Sequence, residues 1–167
     1  MNPKKSIVTV FEGSLLGHIV AKSKIKVDPN RIQTITQIPH LPNKKSMQSF
    51  LGKINFLLNF ISDYAQIVKP MQDMIKKDTL CSWGKREKYS FARIKQAIAE
   101  APTLYILNFK KDFLLYTFAS DNSLAAVLTQ KDEMNDECPI SFTSASMQGL
   151  ELKYPTVEKK AYQFTRM

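Results

Sequence analysis

Residues 46–61 read SMQSFLGKINFLLNFI. Phe50, Leu51, Ile54, Leu57, Leu58 and Ile61 recur at spacings of three and four, the repeat of a helix with one wide apolar face. Ser46 is predicted to cap it, because a serine hydroxyl can accept from the free N–H groups of a first turn. Gly52 interrupts the stripe and costs about 1 kcal/mol against alanine, which suits a helix crossed closely by another. Such a face needs partners, and the flanks supply them. Upstream, Asp28 before Pro29 marks a helix start, with the aspartate as N-cap and proline in the first turn. The helix predicted from Asn30 to Gln37 buries Ile32 and Ile35 and stops before Pro39. His40-Leu41-Pro42-Asn43 reads as a loop. Downstream, Asp63 to Lys77 carries Ile67, Met71, Met74 and Ile75 and is expected to break or kink near Pro70. Three short helices joined by tight loops predict a small bundle.

Outside this bundle the period changes. Ile7 to Phe11 alternates and is rich in branched residues; Glu12-Gly13-Ser14 reads as a turn, and Leu15 to Val20 as the returning strand of a hairpin. Ile25-Lys26-Val27 is a third short strand. Asp78 to Gly84 is the predicted boundary, where charge balance and pattern both shift and Trp83 opens a new segment. A helix from Lys85 to Ala101 places Phe91, Ile94, Ala97 and Ile98 on one face and stops at Pro102. Three strand-like runs follow, Phe113 to Phe118, Ala125 to Thr129 and Ile140 to Thr143, with a charged turn from Lys131 to Glu137. A last helix is expected to begin near Thr156.

The formal net charge is +9, and its distribution is uneven. Residues 1–78 hold twelve Lys/Arg against five Asp/Glu, or +7, and residues 79–167 hold twelve against ten, or +2. A basic front half suits a polyanionic partner such as a nucleic-acid duplex, and equally suits solubilising lysines on helix faces. The chain has two cysteines, Cys81 and Cys138, far apart and without His18 or His40 at ligand spacing, so they read as reduced thiols and not as a metal knuckle. Met1-Asn2-Pro3-Lys4-Lys5-Ser6 lacks the apolar stretch of a secretory signal, and no run is long enough to span a bilayer. These features read as an intracellular chain with no membrane partner.

Five strings in order, MNPKKS, GSLLGHIV, IKVDPNRI, KKSMQSFLGKINFLLNFI and AQIVKPMQDMIKKD, resemble the segment that follows the polymerase active site in gypsy-type LTR retrotransposon Pol polyproteins. Trp83, the helix around Phe91, and the strings LLYTFASDNSLAAVLTQ and PISFTSAS extend that resemblance over nearly the whole chain. It implies an α+β chain with four parts. Residues 1–28 would be the last palm strands, a hairpin like the primer grip. Residues 29–78 would be a thumb-like helical bundle, residues 79–111 a tether and helix, and residues 112–167 a truncated RNase H-like α/β domain with a three-stranded antiparallel sheet.

The resemblance also implies roles. Gly17 and His18 fall in the hairpin that holds a primer terminus in the family, Gly17 for close backbone approach and His18 as a phosphate donor. The helix from Ser46 would lie against template and primer, with Lys44, Lys45 and Lys53 as candidate nucleic-acid contacts. The family's two arginines are replaced by Leu58 and Asn59, which should weaken the salt-dependent part of binding. The polymerase's paired aspartates do not occur here. RNase H chemistry would use Mg²⁺ held by carboxylates, yet the first-strand aspartate position holds Phe118 and the helix glutamate position holds Lys160. Asp121 is expected to point to the opposite strand face and Glu158 lies about 200° around the helix, so neither substitutes. The implied reading is a remnant with no catalytic residue, no metal and no cofactor of its own, retaining weak nucleic-acid binding. The alternatives are a piece of an active RNA-directed DNA polymerase and ribonuclease H polyprotein, or an interaction module. The implied partners are an RNA/DNA duplex and the remaining Pol segments, with no small-molecule substrate. A cut sheet would expose an apolar face and an open edge, predicting poor solubility or a covering partner.

Overall fold

The computed structural model describes residues 11–39, 41–77, 79, 82–155, 157–159 and 161. Two antiparallel sheets pack with a helical bundle. The first sheet runs β1 (Glu12–Leu15), β2 (His18–Ala21), β3 (Lys24–Val27) and β4 (Leu104–Tyr105), in that spatial order. The second runs β5 (Leu114–Ala119), β6 (Ser123–Lys131) and β7 (Glu137–Ser146). The helices are α1 (Pro29–Thr36), α2 (Lys44–Ile54), α3 (Tyr64–Met74) and α4 (Lys85–Ala99), all between β3 and β4 in the chain.

The hairpin departs from expectation in where it turns. Glu12, Gly13 and Ser14 belong to β1, and the reversal falls on Leu16-Gly17, with Leu15 paired to His18. Both turn residues have positive φ, 52° and 85°. A two-residue hairpin loop needs positive φ at both positions to match the twist of its strands, and Gly17 meets that need without a Cβ clash. Leu16 bears a cost of about 1 kcal/mol for the same geometry. Of the strand expected at Ile7 to Phe11, Phe11 lies just before β1 and the rest is outside the described residues, as are His40, Cys81 and the start of the last helix at Thr156.

Helix starts are set by local chemistry. Asp28 caps α1 as expected, its Oδ1 accepting from the Asn30 N–H at 2.9 Å, with Pro29 in the first turn. In α2 the cap is Asn43 rather than Ser46. The Ser46 N–H donates to Asn43 Oδ1 at 2.9 Å, while the Asn43 N–H donates to Ser46 Oγ at 3.3 Å. Ser46 thus serves as the reciprocal partner three residues inside the helix.

The long stripe over residues 46–61 is not one α-helix. After Ile54 the chain tightens into a 3₁₀ helix, Asn55–Phe60. The apolar spacing explains the change: Met47, Phe50 and Ile54 follow α-helical steps, whereas Ile54, Leu57 and Phe60 are three apart. Side chains at i and i+3 eclipse in a 3₁₀ helix, so all three enter one core. Nor does Pro70 break α3, which runs through it with the ring buried.

The core is continuous across these elements. Met47, Phe50, Ile54, Leu57, Val68, Met71, Ile94 and Ile98 are buried at its centre, and Val27 of β3 and Leu104 of β4 join the same cluster. Trp83 docks α4 by donating from Nε1 to the Leu41 carbonyl at 2.8 Å and meeting Phe91 edge-on. Lys95 Nζ, over the Phe91 ring, donates to the Ile38 carbonyl. Burial there pushes the Lys95 ammonium below its usual pKa. The segment expected as a tether thus also contributes β4, which extends the first sheet.

The second sheet is tied to the bundle by a helix cap from a distant strand. Asp63, at the N-cap of α3, has φ 54° and makes no side-chain cap. Ser144 of β7 supplies the missing acceptor, its Oγ taking the Ala65 N–H at 2.9 Å. Buried Gln130 of β6 clasps the loop before β5, accepting from Asn108 N–H and donating to the carbonyls of Asn108 and Lys111 at 2.8–3.1 Å.

Candidate nucleic-acid interface

The basic surplus of the front half is largely engaged internally. Lys44 Nζ donates to the Lys76 carbonyl at 2.6 Å and lies 3.4 Å from that of Lys77, so it ties the start of α2 to the segment just after α3. Lys69 and Lys76 both pair with Asp73, at 3.2 and 2.7 Å. Burial works to raise the Asp73 carboxyl, but the two ammonium groups outweigh it and hold the pKa below the ordinary value. Lys26 meets Glu12, Arg31 covers the Phe56 ring, and Lys24 covers Tyr105. Among the described residues of this half, Lys22, Lys45, Lys53 and Lys77 carry ammonium groups with no such contact.

Lys45 and Lys53 lie on the outer face of α2. Lys45, Gln48, Ser49, Gly52 and Lys53 are all exposed, and their spacing places them on one side of the helix, opposite Met47, Phe50 and Ile54. Gly52 has no internal explanation. A Cβ built there meets no atom of the described residues within 4 Å, so the helix crossing expected at this glycine does not occur among them. The result is a helix face with a bare backbone notch among two lysines, an amide and a hydroxyl.

Gly17 and His18 are half-buried against this chain's own residues. A Cβ on Gly17 would stand 3.3 Å from Arg31 Nε and 3.5 Å from Phe56, so the close approach it allows is to this chain's own α1 and 3₁₀ helix. The His18 ring stacks on Phe60 with centroids 5.2 Å apart and meets Phe56 edge-on at 5.3 Å. Its Nε2 is buried and has no hydrogen-bond partner among the described residues. In this arrangement His18 joins the hairpin to the 3₁₀ helix and faces no open surface through that nitrogen.

The first-strand metal position implied by the resemblance, Phe118, lies near the end of β5. Phe118 pairs with Ala125 and is 57% exposed, so its ring is a surface feature and not a core filler. Ser120 closes the turn that follows, its Oγ 3.0 Å from the Ser123 N–H. Asp121 and Glu158 are exposed, and Lys160 lies outside the described residues. The residue before it, which the sequence reading did not single out, is buried: Lys159 is 8% exposed and its Nζ lies 3.3 Å from the Asp121 carbonyl. No group of three His, Cys, Asp or Glu converges among the described residues. An aromatic ring and an ammonium do not fit a site for paired divalent cations, which calls for several anionic oxygens. Lys159 carries no helical or motif signal that distinguishes it from Lys160; only its burial does.

No helix among the described residues is long and apolar enough to cross a membrane. Residues 83–166 match the family described as RNase H-like domain found in reverse transcriptase. The chain is 37% identical over 150 residues to the retrovirus-related Pol polyprotein from transposon 297 of Drosophila melanogaster, spanning 89% of this chain and 14% of that protein. It is 30% identical over 145 residues to the transposon Tf2-3 polyprotein of Schizosaccharomyces pombe, spanning 87% of this chain and 11% of the relative. Among solved structures it resembles the foamy viral protease-reverse transcriptase in complex with dsDNA. That likeness has a TM-score of 0.81 and 22% identity, over 98% of this chain and 34% of the other. The same viral protein with an RNA/DNA hybrid gives a TM-score of 0.80.

Proposed function

Since the chain belongs to the family of RNase H-like domains found in reverse transcriptases, and matches a fragment of retrotransposon Pol polyproteins, we propose that it binds a nucleic-acid duplex without hydrolysing it. The observation that carries this reading is the exposed notch at Gly52 between Lys45 and Lys53. A glycine inside a helix costs about 1 kcal/mol, and nothing among the described residues requires it. A bare backbone suits close approach by something outside the molecule. The flanking ammonium groups suit phosphates, and the Gln48 amide and Ser49 hydroxyl suit phosphate, sugar or base edges. The foamy viral relatives of the same fold are described with dsDNA and RNA/DNA hybrid, which supports a duplex as the ligand.

The absence of hydrolysis rests on Phe118 and on the buried Lys159 ammonium at the turn after β5. Lys160, at the family's glutamate position, adds a second positive charge in sequence. Gly17 and His18 do not carry this reading, because the contacts seen at both are with this chain's own Arg31, Phe56 and Phe60.

A salt series tests the proposal. Lys45→Gln with Lys53→Gln should make the plot of log affinity against log salt shallower by about 1.8, two phosphate contacts at roughly 0.9 each. The unmodified chain should leave an RNA/DNA hybrid intact in Mg²⁺. An unchanged slope would remove the helix face from the account, and stoichiometric hybrid cleavage would remove the non-catalytic reading.

A further inference from the structure

A second surface, sharing no residue with the α2 face, lies where α3 meets α4. A cleft of about 390 Å³ is walled on one side by Arg86, Tyr89 and Arg93 of α4, and Asp63 and Gln66 line the other side. A neighbouring cleft of about 440 Å³ is lined by the same Asp63 and Gln66 and by Phe118 of β5, so the two form one groove around the start of α3. Arg86, Tyr89 and Arg93 stand at i, i+3 and i+7, which puts them on one face of α4. Neither guanidinium makes a hydrogen bond, ion pair or ring contact with any described residue. Tyr89 is 70% exposed and Phe118 57% exposed, so each turns a large ring toward solvent along this groove.

From this arrangement the geometry points to a site for single-stranded nucleic acid, with Arg86 and Arg93 on phosphates and Tyr89 and Phe118 as platforms for bases. Unpaired arginines provide forked donors matched to phosphate oxygens. Exposed aromatic rings beside them offer the stacking that single-strand binding uses, which a duplex with its bases already stacked cannot exploit. Asp63 decides the polarity across the groove. Its carboxylate repels phosphate from the α3 wall and accepts from an exocyclic amine, so the backbone runs along α4 and bases turn inward. The ring at residue 118 thereby gains a use where a carboxylate would have served metal chemistry.

Fluorescence anisotropy with a short labelled oligo-dC strand on the full chain tests this. Arg86→Gln with Arg93→Gln should weaken binding roughly tenfold or more and make its salt slope shallower by about 1.4, two contacts at roughly 0.7 each. Tyr89→Ala and Phe118→Ala should each weaken it about tenfold, with Tyr89→Phe restoring the affinity. Duplex affinity, read in parallel, should be unchanged by all four. These side chains are solvent-facing, so the variants should keep the melting temperature of the parent. The inference is overturned if the double arginine variant binds with unaltered affinity and slope. It is also overturned if inorganic tripolyphosphate competes as well as the strand does, or if the parent chain fails to bind the strand at low salt.

Discussion

The helical bundle and the second sheet solve the same problem with opposite results. In the bundle, the eight central side chains, from Met47 to Ile98, are exposed by 1% or less. In β5, Leu114, Leu115, Tyr116 and Phe118 are each exposed by 37–57%, with no alternation between a buried and a wet face. One edge of β5 pairs with β6, and the first sheet ends at β4, so among the described residues the outer edge of β5 is unpaired. The difference teaches that the bundle is held by its own stripe of side chains. The sheet is held through β6 and β7, by Gln130 and by the Ser144 cap on α3.

Substitutions can break that contrast. Phe50→Ala should cost about 3–5 kcal/mol, since Phe50 is 1% exposed and packs against Phe91. That is a large share of the roughly 5–15 kcal/mol margin of a small domain, and a shifted denaturation midpoint would report it. Phe118→Ala should cost no more than about 1 kcal/mol, given its exposed ring. Equal effects would mean that β5 packs as tightly as the bundle does.

A pH series sharpens the comparison from the side of charge. Tyr64, at the start of α3, is 8% exposed, and burial pushes its phenol up to about 12. Its folded pKa is above the unfolded value of 10, so the stabilisation is complete below pH 10 and is lost as pH rises toward 12. The bundle should therefore loosen in that window, seen as a falling thermal midpoint, and Tyr64→Phe should flatten the fall. Tyr116 of β5 also has a raised phenol, chiefly through its hydrogen bond to Glu137, but it is solvent-exposed and Tyr116→Phe should leave the profile unchanged.

How much of this was legible beforehand follows the range of the interactions. Asp28-Pro29 announced α1, the apolar period announced the helices, and Pro102 marked the end of α4, because each depends on residues within a turn or two. The hairpin turn was misplaced because Glu12-Gly13-Ser14 has turn composition, whereas the decision lay with the strand twist that Gly17 accommodates at positive φ. Ser46 resembled a cap and is the cap's partner, a distinction set by one turn of helix. The change to 3₁₀ geometry was written in the three-residue spacing of Ile54, Leu57 and Phe60, but only a shared core makes that spacing decisive. Nothing local signals β4, a two-residue strand that exists by pairing with β3. The same holds for Ser144, whose partner Ala65 is 79 residues away.

At the candidate site, residue types were readable and surroundings were not. Phe118 could be noted as a ring in place of a carboxylate, whereas its exposure beside Asp63 and Gln66 required the fold. Lys44, Lys45 and Lys53 looked equivalent in sequence. The fold separates Lys44, which is bonded to the segment after α3, from the two that remain open. Gly17 and Gly52 likewise looked alike as points of close approach, yet one is filled by Arg31 and Phe56 and the other faces open space.

That last pair offers the most direct test of the account. Gly52→Ala should raise stability by about 0.5–1 kcal/mol, because alanine is the better helix former and its methyl meets nothing inside the molecule. The same substitution should weaken duplex binding, because the methyl fills the notch. Greater stability together with reduced affinity is the expected result, read by denaturant titration and duplex binding on one sample. Greater stability with unchanged affinity would contradict the proposal that this face of α2 receives the duplex.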